Sequence, residues 1–412
     1  MGPDEHGGDT ESHPGVRLDF SINVNPLGVP PEVRYAIIYG LDSVTAYPDP
    51  QCRELRAALA RYHGIGMGNI TCGNGASDLI HRVISAYHHG LYPQIPTNHA
   101  PLVAMDTISA NTQQTFISLP QHPASDRPLR ILIPTPTFTE YERAARIHGA
   151  DVCHHRLNPC FFNLTDAVLD EVTEDTDMVF CCQPNNPTGR LIDPALTARL
   201  IERTRERGTL LVIDECFLPF TDAQSAIDKL ESHIVILRAF TKTHGLAGLR
   251  LGYAVCGDET LAAAMAEQGP RWNVSSLAQI AGVAALDSES WEENTRALIR
   301  REREWLTEAL TQLGLSVVPS QANFLLFRHK TDLFSPLLDR GILIRSCANF
   351  DGLDESYYRI GIKQHADNVI LIDSLREILS LDGHPKRTPP VSDLAIMAND
   401  SRLVPNGGHS DS

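Results

Sequence analysis

The sequence predicts an α/β protein, because amphipathic helical segments alternate with short apolar runs that have the length of buried strands. Five such runs, each bounded by turn residues, lie at 130–133, 178–182, 210–213, 234–239 and 251–255. Continuous apolar runs of this length are typical of strands that are covered on both faces. A helix is predicted over 52–63, ending at Gly64, and a second helix follows the sequence GNGASD at 73–78.

The second half of the chain predicts a smaller unit. A long charged helix at 288–314 is followed by strands at 323–327, 342–345 and 357–362 and by a closing helix at 365–380. The predicted organisation is a flexible arm (1–16), an N-terminal segment that contributes to the small domain and the active site (17–46), a large domain (47–287) with a long insertion (89–128), a small domain (288–382) and a disordered tail (383–412).

Composition limits the classes of function. The 412 residues include 35 Lys and Arg but 51 Asp and Glu, a formal net charge of −16, which argues against non-specific binding to nucleic acid or anionic membranes. No apolar run approaches the roughly 20 residues of a membrane helix. The polar, acidic N-terminus does not resemble a secretory signal, and nine cysteines without a CxxC pair indicate reduced thiols in a cytoplasmic protein. The histidines show no ligand spacing, so no metal site is predicted.

A lysine in a glycine-rich loop is the first candidate catalytic residue. In FTKTHGLAGLRLGY, at 240–253, Lys242 follows a predicted strand and Arg250 comes eight residues later. An amine that is partly removed from water can form a Schiff base with a carbonyl group. Arg250 and Thr241 could hold a phosphate, the arginine as a rigid bidentate donor. Alone, the segment is equally consistent with a surface lysine in a loop.

Two further segments place polar groups at the ends of predicted strands, where open α/β sheets bind ligands. In LLVIDECF, at 210–217, four apolar residues lead into Asp214, which could keep a pyridinium nitrogen protonated or simply cap a helix. In CCQPNNPTGR, at 181–190, Asn186 could donate to a phenolate oxygen. By itself that turn is uninformative, because Asn, Pro and Gly are ordinary turn residues.

The sequence GNGASD at 73–78 predicts a phosphate site at the start of a helix. The first backbone N–H groups of a helix have no partner within it and bind anions. Gly75, Ala76 and Ser77 would supply these groups, and the Ser77 hydroxyl would be an additional donor. Glycine before a helix is common, so the segment is informative only in combination.

In combination, these segments resemble the fold-type I pyridoxal-phosphate enzymes of the class I/II aminotransferase superfamily, over about residues 17–380. The resemblance implies a large domain with a mostly parallel seven-stranded sheet between helices, and a smaller α+β domain. It also implies pyridoxal 5′-phosphate as the cofactor and a homodimer whose active sites are shared between the subunits.

The resemblance gives each of these positions a role. Lys242 would bind the cofactor covalently and then transfer a proton, Asp214 would pair with the ring nitrogen, and Asn186 would contact the ring hydroxyl oxygen. Phe138, in PTPTFTEY, would stack on the ring, and Arg359, in YYRIGI, would bind the substrate carboxylate. The cofactor phosphate would be held by Gly75, Ala76, Ser77, Thr241 and Arg250, and by Tyr47, in AYPDP, of the neighbouring subunit.

Two positions depart from the superfamily pattern. Phe217 stands three residues after Asp214, where many relatives have a tyrosine that donates to the ring hydroxyl oxygen, and phenylalanine cannot donate. Ala239 lacks the hydroxyl that many relatives place near the phosphate. Either the remaining contacts compensate or the cofactor is held less tightly.

Two subfamilies share YPDP, the Lys-to-Arg spacing and the ANFxLFR pattern at 322–328: the histidinol-phosphate aminotransferases and the threonine-phosphate decarboxylases of cobalamin biosynthesis. HGGD at 6–9 and LDFSINVNPLGVP at 18–30 look like the decarboxylase opening, and CANFDGLDESYYRIGIK at 347–363 agrees with it. Both subfamilies act on phosphorylated substrates, so a second anion-binding group is expected. The candidate substrate-binding residues are Arg359, Arg345, Asn23 and His6.

Two of these candidates have a simpler interpretation: Arg345 as a structural ion pair and His6 as part of a flexible terminus. The resemblance favours a decarboxylase that converts L-threonine O-3-phosphate to (R)-1-amino-2-propanol O-2-phosphate and carbon dioxide. A histidinol-phosphate or related aminotransferase is the alternative. A non-catalytic regulator is disfavoured by the intact set of Lys242, Asp214 and Arg250. The expected partner is a small phosphorylated amino acid, with no nucleic acid or membrane.

Overall fold

The computed structural model describes residues 7–90 and 127–381. His6, most of the predicted insertion at 89–128 and the predicted tail at 383–412 lie outside the described residues. The division into domains and segments therefore stays a prediction, although the described parts contain two separate sheets with separate apolar cores.

A seven-stranded sheet forms the centre of the larger part, in the order β2-β8-β7-β6-β5-β3-β4. Only β8 runs antiparallel to its neighbours, so the predicted mostly parallel sheet is confirmed. Its strands are β2 (Ile70–Gly73), β3 (Arg130–Thr135), β4 (Asp151–Arg156), β5 (Met178–Cys182), β6 (Leu210–Asp214), β7 (Ile234–Ala239) and β8 (Gly252–Cys256).

Helices cover both faces of this sheet because the side chains of each strand alternate between two apolar clusters. Along β6, Leu210 and Val212 belong to one cluster, whereas Leu211 and Ile213 belong to the other. The helices are α1 (Pro31–Tyr39), α2 (Arg53–His63), α3 (Ala76–His88), α4 (Glu140–Ile147), α5 (Ala167–Glu171), α6 (Pro194–Arg207), α7 (Phe240–Thr243), α8 (Glu259–Glu267), α9 (Ser276–Ala285), α10 (Glu289–Gln312), α11 (Phe334–Asp339) and α12 (His365–Leu381).

The C-terminal part contains a second sheet, in the order β12-β13-β10-β9, and a two-stranded pair formed by β1 and β11. The single strand predicted at 342–345 is wrong. Its first half pairs with the N-terminal segment and its second half pairs with β13, and a continuous apolar run cannot reveal such a change of partner. The strands are β1 (Leu18–Asp19), β9 (Ser316–Val317), β10 (Phe324–Arg328), β11 (Ile342–Leu343), β12 (Arg345–Ser346) and β13 (Tyr357–Gly361).

The N-terminal segment connects the two sheets. The Phe20 N–H donates to Leu343 O at 2.7 Å, and the Gly361 N–H donates to Phe20 O at 2.7 Å. A Cβ at Gly361 would collide with the carbonyl oxygen of Ile22, so close backbone approach requires glycine there. Five residues beyond Phe20, the segment reaches the loop that carries Lys242, where the Asn25 N–H donates to Lys242 O at 2.9 Å.

All nine cysteines are free thiols. Among the described residues, no helix combines the length and apolar character needed to cross a membrane. Over the same residues, no group of three or more His, Cys, Asp or Glu side chains could hold a metal ion.

Candidate active site

The predicted lysine and aspartate lie at the carboxyl ends of adjacent strands. Asp214 is the last residue of β6, where it aligns with Cys182 of β5 on one side and Leu237 of β7 on the other. Lys242 lies in α7, which begins immediately after β7. Parallel pairing of these strands therefore brings both groups to one edge of the sheet.

Asp214 is 4% exposed and both of its carboxylate oxygens accept hydrogen bonds. The Tyr141 hydroxyl donates to Oδ2 at 2.7 Å, and the Cys216 N–H donates to Oδ1 at 2.9 Å. Burial, followed by the nearby Asp214 charge, raises the pKa of Tyr141 well above its usual value, so this hydroxyl keeps its proton. Tyr141 is stacked on Phe180, with ring centroids 5.1 Å apart.

The sequence analysis does not predict the Tyr141 contact, although a signal exists. Tyr141 follows Phe138 by three residues, and the Tyr141 N–H donates to Phe138 O at 3.3 Å in the turn that leads into α4. Their rings meet edge to face at 5.5 Å. A residue next to the predicted ring-stacking position is thus also placed to contact Asp214.

Burial lowers the pKa of Lys242 to about 8, and the positive charge of Arg359 contributes further. The Lys242 amine lies 5.8 Å from the ring centroid of Phe217, the residue that replaces the expected tyrosine. Phe217 packs edge to face on Phe324 at 5.0 Å. Phenylalanine at position 217 lacks the hydroxyl donor of tyrosine. Its apolar ring lies beside the Lys242 amine and contributes to the burial that favours the neutral form of the amine.

Asn25, noted in the sequence only as part of a subfamily motif, holds the lysine loop. Besides its backbone bond to Lys242 O, the Asn25 side-chain amide donates to Thr243 O at 2.6 Å and to Thr295 Oγ1 at 2.8 Å. Thr295 belongs to α10, so Asn25 ties the loop after β7 to the helix that leads into the second sheet. The contact joins positions 218 and 270 residues apart, which sequence spacing cannot indicate.

The residues of the predicted phosphate site lie around the start of α3. Gly75 precedes the helix with a φ of +83°, and no side chain caps the first N–H groups, those of Ala76 and Ser77 included. A Cβ at Gly75 would lie 2.9 Å from Arg250 Nη2, so the guanidinium lies directly over the glycine. Thr241 is buried at the start of α7. Free amides and a guanidinium at one helix start are the donor set that binds phosphate.

Arg359, on β13, joins three parts of the chain. Its Nη1 donates to Oδ1 of Asn186, in the turn after β5, and its Nη2 donates to Ser21 O at 2.9 Å. Its Nε is buried without a hydrogen-bond partner. Burial lowers the pKa of Arg359 to about 10. A buried guanidinium of this kind is expected to meet an anion from a ligand.

Arg345 lies beside Arg359, because β12 and β13 pair with these two residues in register. Paired residues of an antiparallel ladder project from the same face of the sheet. Arg345 is also buried, and its Nη2 donates to Asn349 Oδ1 at 2.8 Å. Its guanidinium lies 5.6 Å from the ring centroid of Phe350. Two adjacent buried cations repel each other unless an anion lies between them.

The N-terminal element approaches Arg359 through Ser21. The Gly8 N–H donates to Ser21 Oγ at 2.8 Å, and a Cβ at Gly7 would collide with Ser21 O, the oxygen that accepts from Arg359. Both glycines of the HGGD sequence are thus packed next to the arginine. Asn23 is buried, with its Oδ1 lacking a hydrogen-bond partner.

Phe138 and Tyr47 occupy different environments. Phe138 lines a cavity of about 340 Å³ together with Asn349 and Phe350, which are the two residues that contact Arg345. Tyr47 is 83% exposed and stacks on Trp272, with ring centroids 5.0 Å apart. Tyr47 therefore stands apart from the predicted site residues, as a group that faces outward.

The arrangement fits a phosphorylated pyridine aldehyde. The amine of lowered pKa can react with the aldehyde, the buried carboxylate can pair with a protonated ring nitrogen, and the glycine start of α3 under Arg250 can receive the phosphate. The unpartnered Nε of the buried Arg359 is available to an anionic substrate.

Comparison with known proteins agrees with this assignment of a pyridoxal-phosphate enzyme. The chain belongs to the aminotransferase class I and II family, whose model matches residues 110–375, and its cofactor is pyridoxal 5′-phosphate. It is 36% identical to the threonine-phosphate decarboxylase of Salmonella typhimurium, covering 89% of this chain and 92% of that protein.

Aminotransferases are also among its relatives. The chain is 30% identical to the histidinol-phosphate aminotransferase of Methanocaldococcus jannaschii, over 88% of this chain and 89% of that protein. The crystal structure of the histidinol-phosphate aminotransferase from Clostridium acetobutylicum superposes with a TM-score of 0.75 at 28% identity, covering 88% of this chain and 99% of that one. The fold-type I architecture predicted from the sequence is confirmed.

Tyr141→Phe is expected to weaken retention of the cofactor, because one buried oxygen of Asp214 loses its donor. We expect a loss of about 1–3 kcal/mol in the free energy of unfolding, and faster release of pyridoxal phosphate measured by the decay of its protein-bound absorbance. Tyr253→Phe is the matched control, since that buried hydroxyl bonds to His63 at 2.8 Å. Equal cofactor release from both variants would contradict the role of Tyr141.

Arg359→Gln is expected to raise the pKa of Lys242 above about 8, because it removes a neighbouring positive charge. Only the neutral amine attacks an aldehyde, so the pH at which apoprotein incorporates half-maximal pyridoxal phosphate, trapped by borohydride reduction, should move upward. Arg328→Gln, an exposed arginine on β10, should leave that midpoint unchanged. An unchanged midpoint in Arg359→Gln would show that its charge does not act on Lys242.

Proposed function

We propose that this enzyme is a cytoplasmic homodimer that decarboxylates L-threonine O-3-phosphate to (R)-1-amino-2-propanol O-2-phosphate and carbon dioxide, in cobalamin biosynthesis. The observation that carries the proposal is the packing of Gly7 and Gly8 on Ser21, whose carbonyl holds Arg359. The element that looks like the decarboxylase opening thus lies against the candidate substrate arginine. The 36% identity to a threonine-phosphate decarboxylase supports the same conclusion.

The cofactor is held, in this proposal, by the residues at the strand ends. Lys242 binds it covalently, Asp214 pairs with the ring nitrogen, Asn186 contacts the ring hydroxyl oxygen and Phe138 stacks on the ring. Bound pyridoxal phosphate supplies an electron-withdrawing ring that accepts the electron pair released when a bond to the substrate α-carbon breaks. The phosphate is bound by Gly75, Ala76, Ser77, Thr241 and Arg250, and by Tyr47 from the partner subunit.

The two arginines decide which bond breaks by orienting the substrate. L-Threonine O-3-phosphate carries two anionic groups, a carboxylate and a phosphate, and Arg359 and Arg345 offer two adjacent buried guanidiniums. We assign the carboxylate to Arg359 and the phosphate to Arg345, with Asn23 and His6 as further phosphate contacts. Fixing both anions would limit rotation about the bond between the α-carbon and its nitrogen, and so would present the bond to the carboxylate for cleavage.

Lys242 supplies the proton that completes the reaction. Loss of carbon dioxide leaves an electron pair to be protonated at the α-carbon, and the Lys242 ammonium donates that proton from Nζ. A pKa of about 8 makes this group both a competent donor and, afterwards, a competent nucleophile near neutral pH. Phe217 and Phe324 keep the amine in apolar surroundings.

A histidinol-phosphate or related aminotransferase is the second candidate, favoured by the 30% identity to the M. jannaschii aminotransferase. Histidinol phosphate carries a phosphate but no carboxylate, so it would use one of the two arginines in this chemistry. In the second half-reaction, 2-oxoglutarate has two carboxylates and could use both. The paired arginines fit the doubly anionic threonine phosphate more directly.

An exposed apolar surface supports the homodimer. Six large apolar side chains on α1, on the turn that follows it and at Tyr47 are more than half exposed. An exposed apolar patch of this kind usually marks a surface that a partner covers. These residues are Tyr35, Ile38, Tyr39, Leu41, Val44 and Tyr47. The exposure of Tyr47 at this surface supports its proposed reach to the phosphate of a neighbouring subunit.

The direct test is a product assay of the holoenzyme with L-threonine O-3-phosphate and no keto acid. We expect stoichiometric carbon dioxide and aminopropanol phosphate, measured by carbon dioxide capture and mass spectrometry, and their loss in Lys242→Ala. Formation of glutamate from histidinol phosphate and 2-oxoglutarate, without carbon dioxide from threonine phosphate, would instead establish the aminotransferase.

Mixing two inactive variants tests the shared site. Lys242→Ala and Tyr47→Ala are unfolded and refolded together, so that hybrid dimers form. If Tyr47 acts across the interface, each hybrid has one intact site, and random pairing of equal amounts should restore about a quarter of the wild-type activity. No gain over the separately refolded variants would place Tyr47 at the site of its own chain or outside both sites.

A further inference from the structure

A short loop of the C-terminal part, 347–353, is anchored to the large sheet by one carboxylate. Thr135 Oγ1, at the end of β3, donates to Asp351 Oδ2 at 2.9 Å, and Arg156 Nη2, at the end of β4, lies 3.2 Å from Asp351 Oδ1. His154 Nδ1 is 3.3 Å from Asp351 Oδ2, and His154 Nε2 is 3.0 Å from Glu142 Oε2. A single aspartate of this loop thus contacts two strands of the other sheet.

The same loop contains two groups that contact the guanidinium of Arg345. Asn349 accepts from Arg345 Nη2 at 2.8 Å, and the Phe350 ring lies under the guanidinium at 5.6 Å. The loop is internally braced, because the Phe350 N–H donates to Cys347 O and the Leu353 N–H donates to Phe350 O, both at 3.0 Å. A displacement of Asp351 would therefore be transmitted to Asn349 and Phe350.

The loop also forms one wall of the cavity that Phe138 lines from the opposite side. The wall consists of residues 348–353, and the facing wall includes Thr135, Thr137 and Glu142. The contacts of Asp351 with Thr135 and Arg156 span this cavity at its rim. Breaking them would separate the walls and change the direction in which Arg345 is held.

We propose that Asp351 is a positioning residue that fixes loop 347–353 against β3 and β4, so that Arg345 faces the phosphate of the substrate. The proposal rests on the function proposed above, in which Arg345 binds that phosphate. The contacts of Asp351 are with Thr135, His154 and Arg156, and it acts through the loop that they anchor. It determines specificity for phosphorylated over unphosphorylated substrates, through the placement of Asn349 and Phe350.

Asp351→Ala is the test, and Asp354→Ala is the matched control. Asp354 is a carboxylate near the same loop, but its contacts, with Ser356 and Arg328, stay within the small sheet. Each holoenzyme is titrated with L-threonine O-3-phosphate and with L-threonine, and binding is followed by the change in cofactor absorbance. In Asp351→Ala we expect the preference for the phosphorylated ligand to fall by about tenfold, with L-threonine binding unchanged.

Three outcomes separate the two proposals. Wild-type protein that binds both ligands equally would overturn the proposed function. A wild-type preference that survives in Asp351→Ala, or that falls equally in Asp354→Ala, would overturn the role of Asp351 alone. If Asp351→Ala does not fold, Thr135→Val removes a donor from the facing strand, and an unchanged preference in that variant counts against the proposal.

Discussion

The site depends on one physical constraint, the burial of the Arg359 guanidinium among three parts of the chain. Asn186 and Ser21 each accept from it, but both acceptors are neutral, and one N–H group stays unpartnered. Neutral acceptors orient a guanidinium without cancelling its charge. The positive potential that remains lowers the pKa of Lys242 and attracts anionic groups, so one buried charge influences both catalytic and substrate chemistry.

The lysine is controlled by position as much as by charge. Its loop is held from the N-terminal side by Asn25, its amine faces Phe217, and the adjacent strand end carries Asp214 with Tyr141 behind it. Each neighbour has a different effect. Asn25 fixes the backbone of the loop, Phe217 shields the amine from water, and Tyr141 fixes one carboxylate oxygen of Asp214. The contact with Phe217 partly explains why phenylalanine replaces the usual tyrosine at position 217. The ring of Phe217 gives the Lys242 amine an apolar neighbour, and the amine must be neutral to react.

The sequence predicts those features that depend on local chain chemistry. The sequence predicts that one strand ends at Asp214 and another ends before Lys242, because both apolar runs stop at polar residues. Gly75 and Ala76 predict the start of α3. Contacts between distant segments could not be predicted in the same way. Asn25 with Thr295 and Thr135 with Asp351 join residues that no period or motif relates. The division of the apolar run at 342–345 into β11 and β12 could not be predicted either. Its two halves pair with different strands, and composition does not show this.

The route of the N-terminal segment has a consequence for the order in which the protein can mature during synthesis. Residues 18–25 are synthesised early, yet they pair with Leu343 and Gly361 in the C-terminal part. These contacts cannot form until the C-terminal part has been made. A nascent chain that has just released β8 from the ribosome contains all seven strands of the large sheet but neither Arg345 nor Arg359, so a chain truncated before β12 would lack both of these cations. Completion of the site is therefore a late event in biogenesis, which keeps partly made chains from acquiring the full substrate pocket.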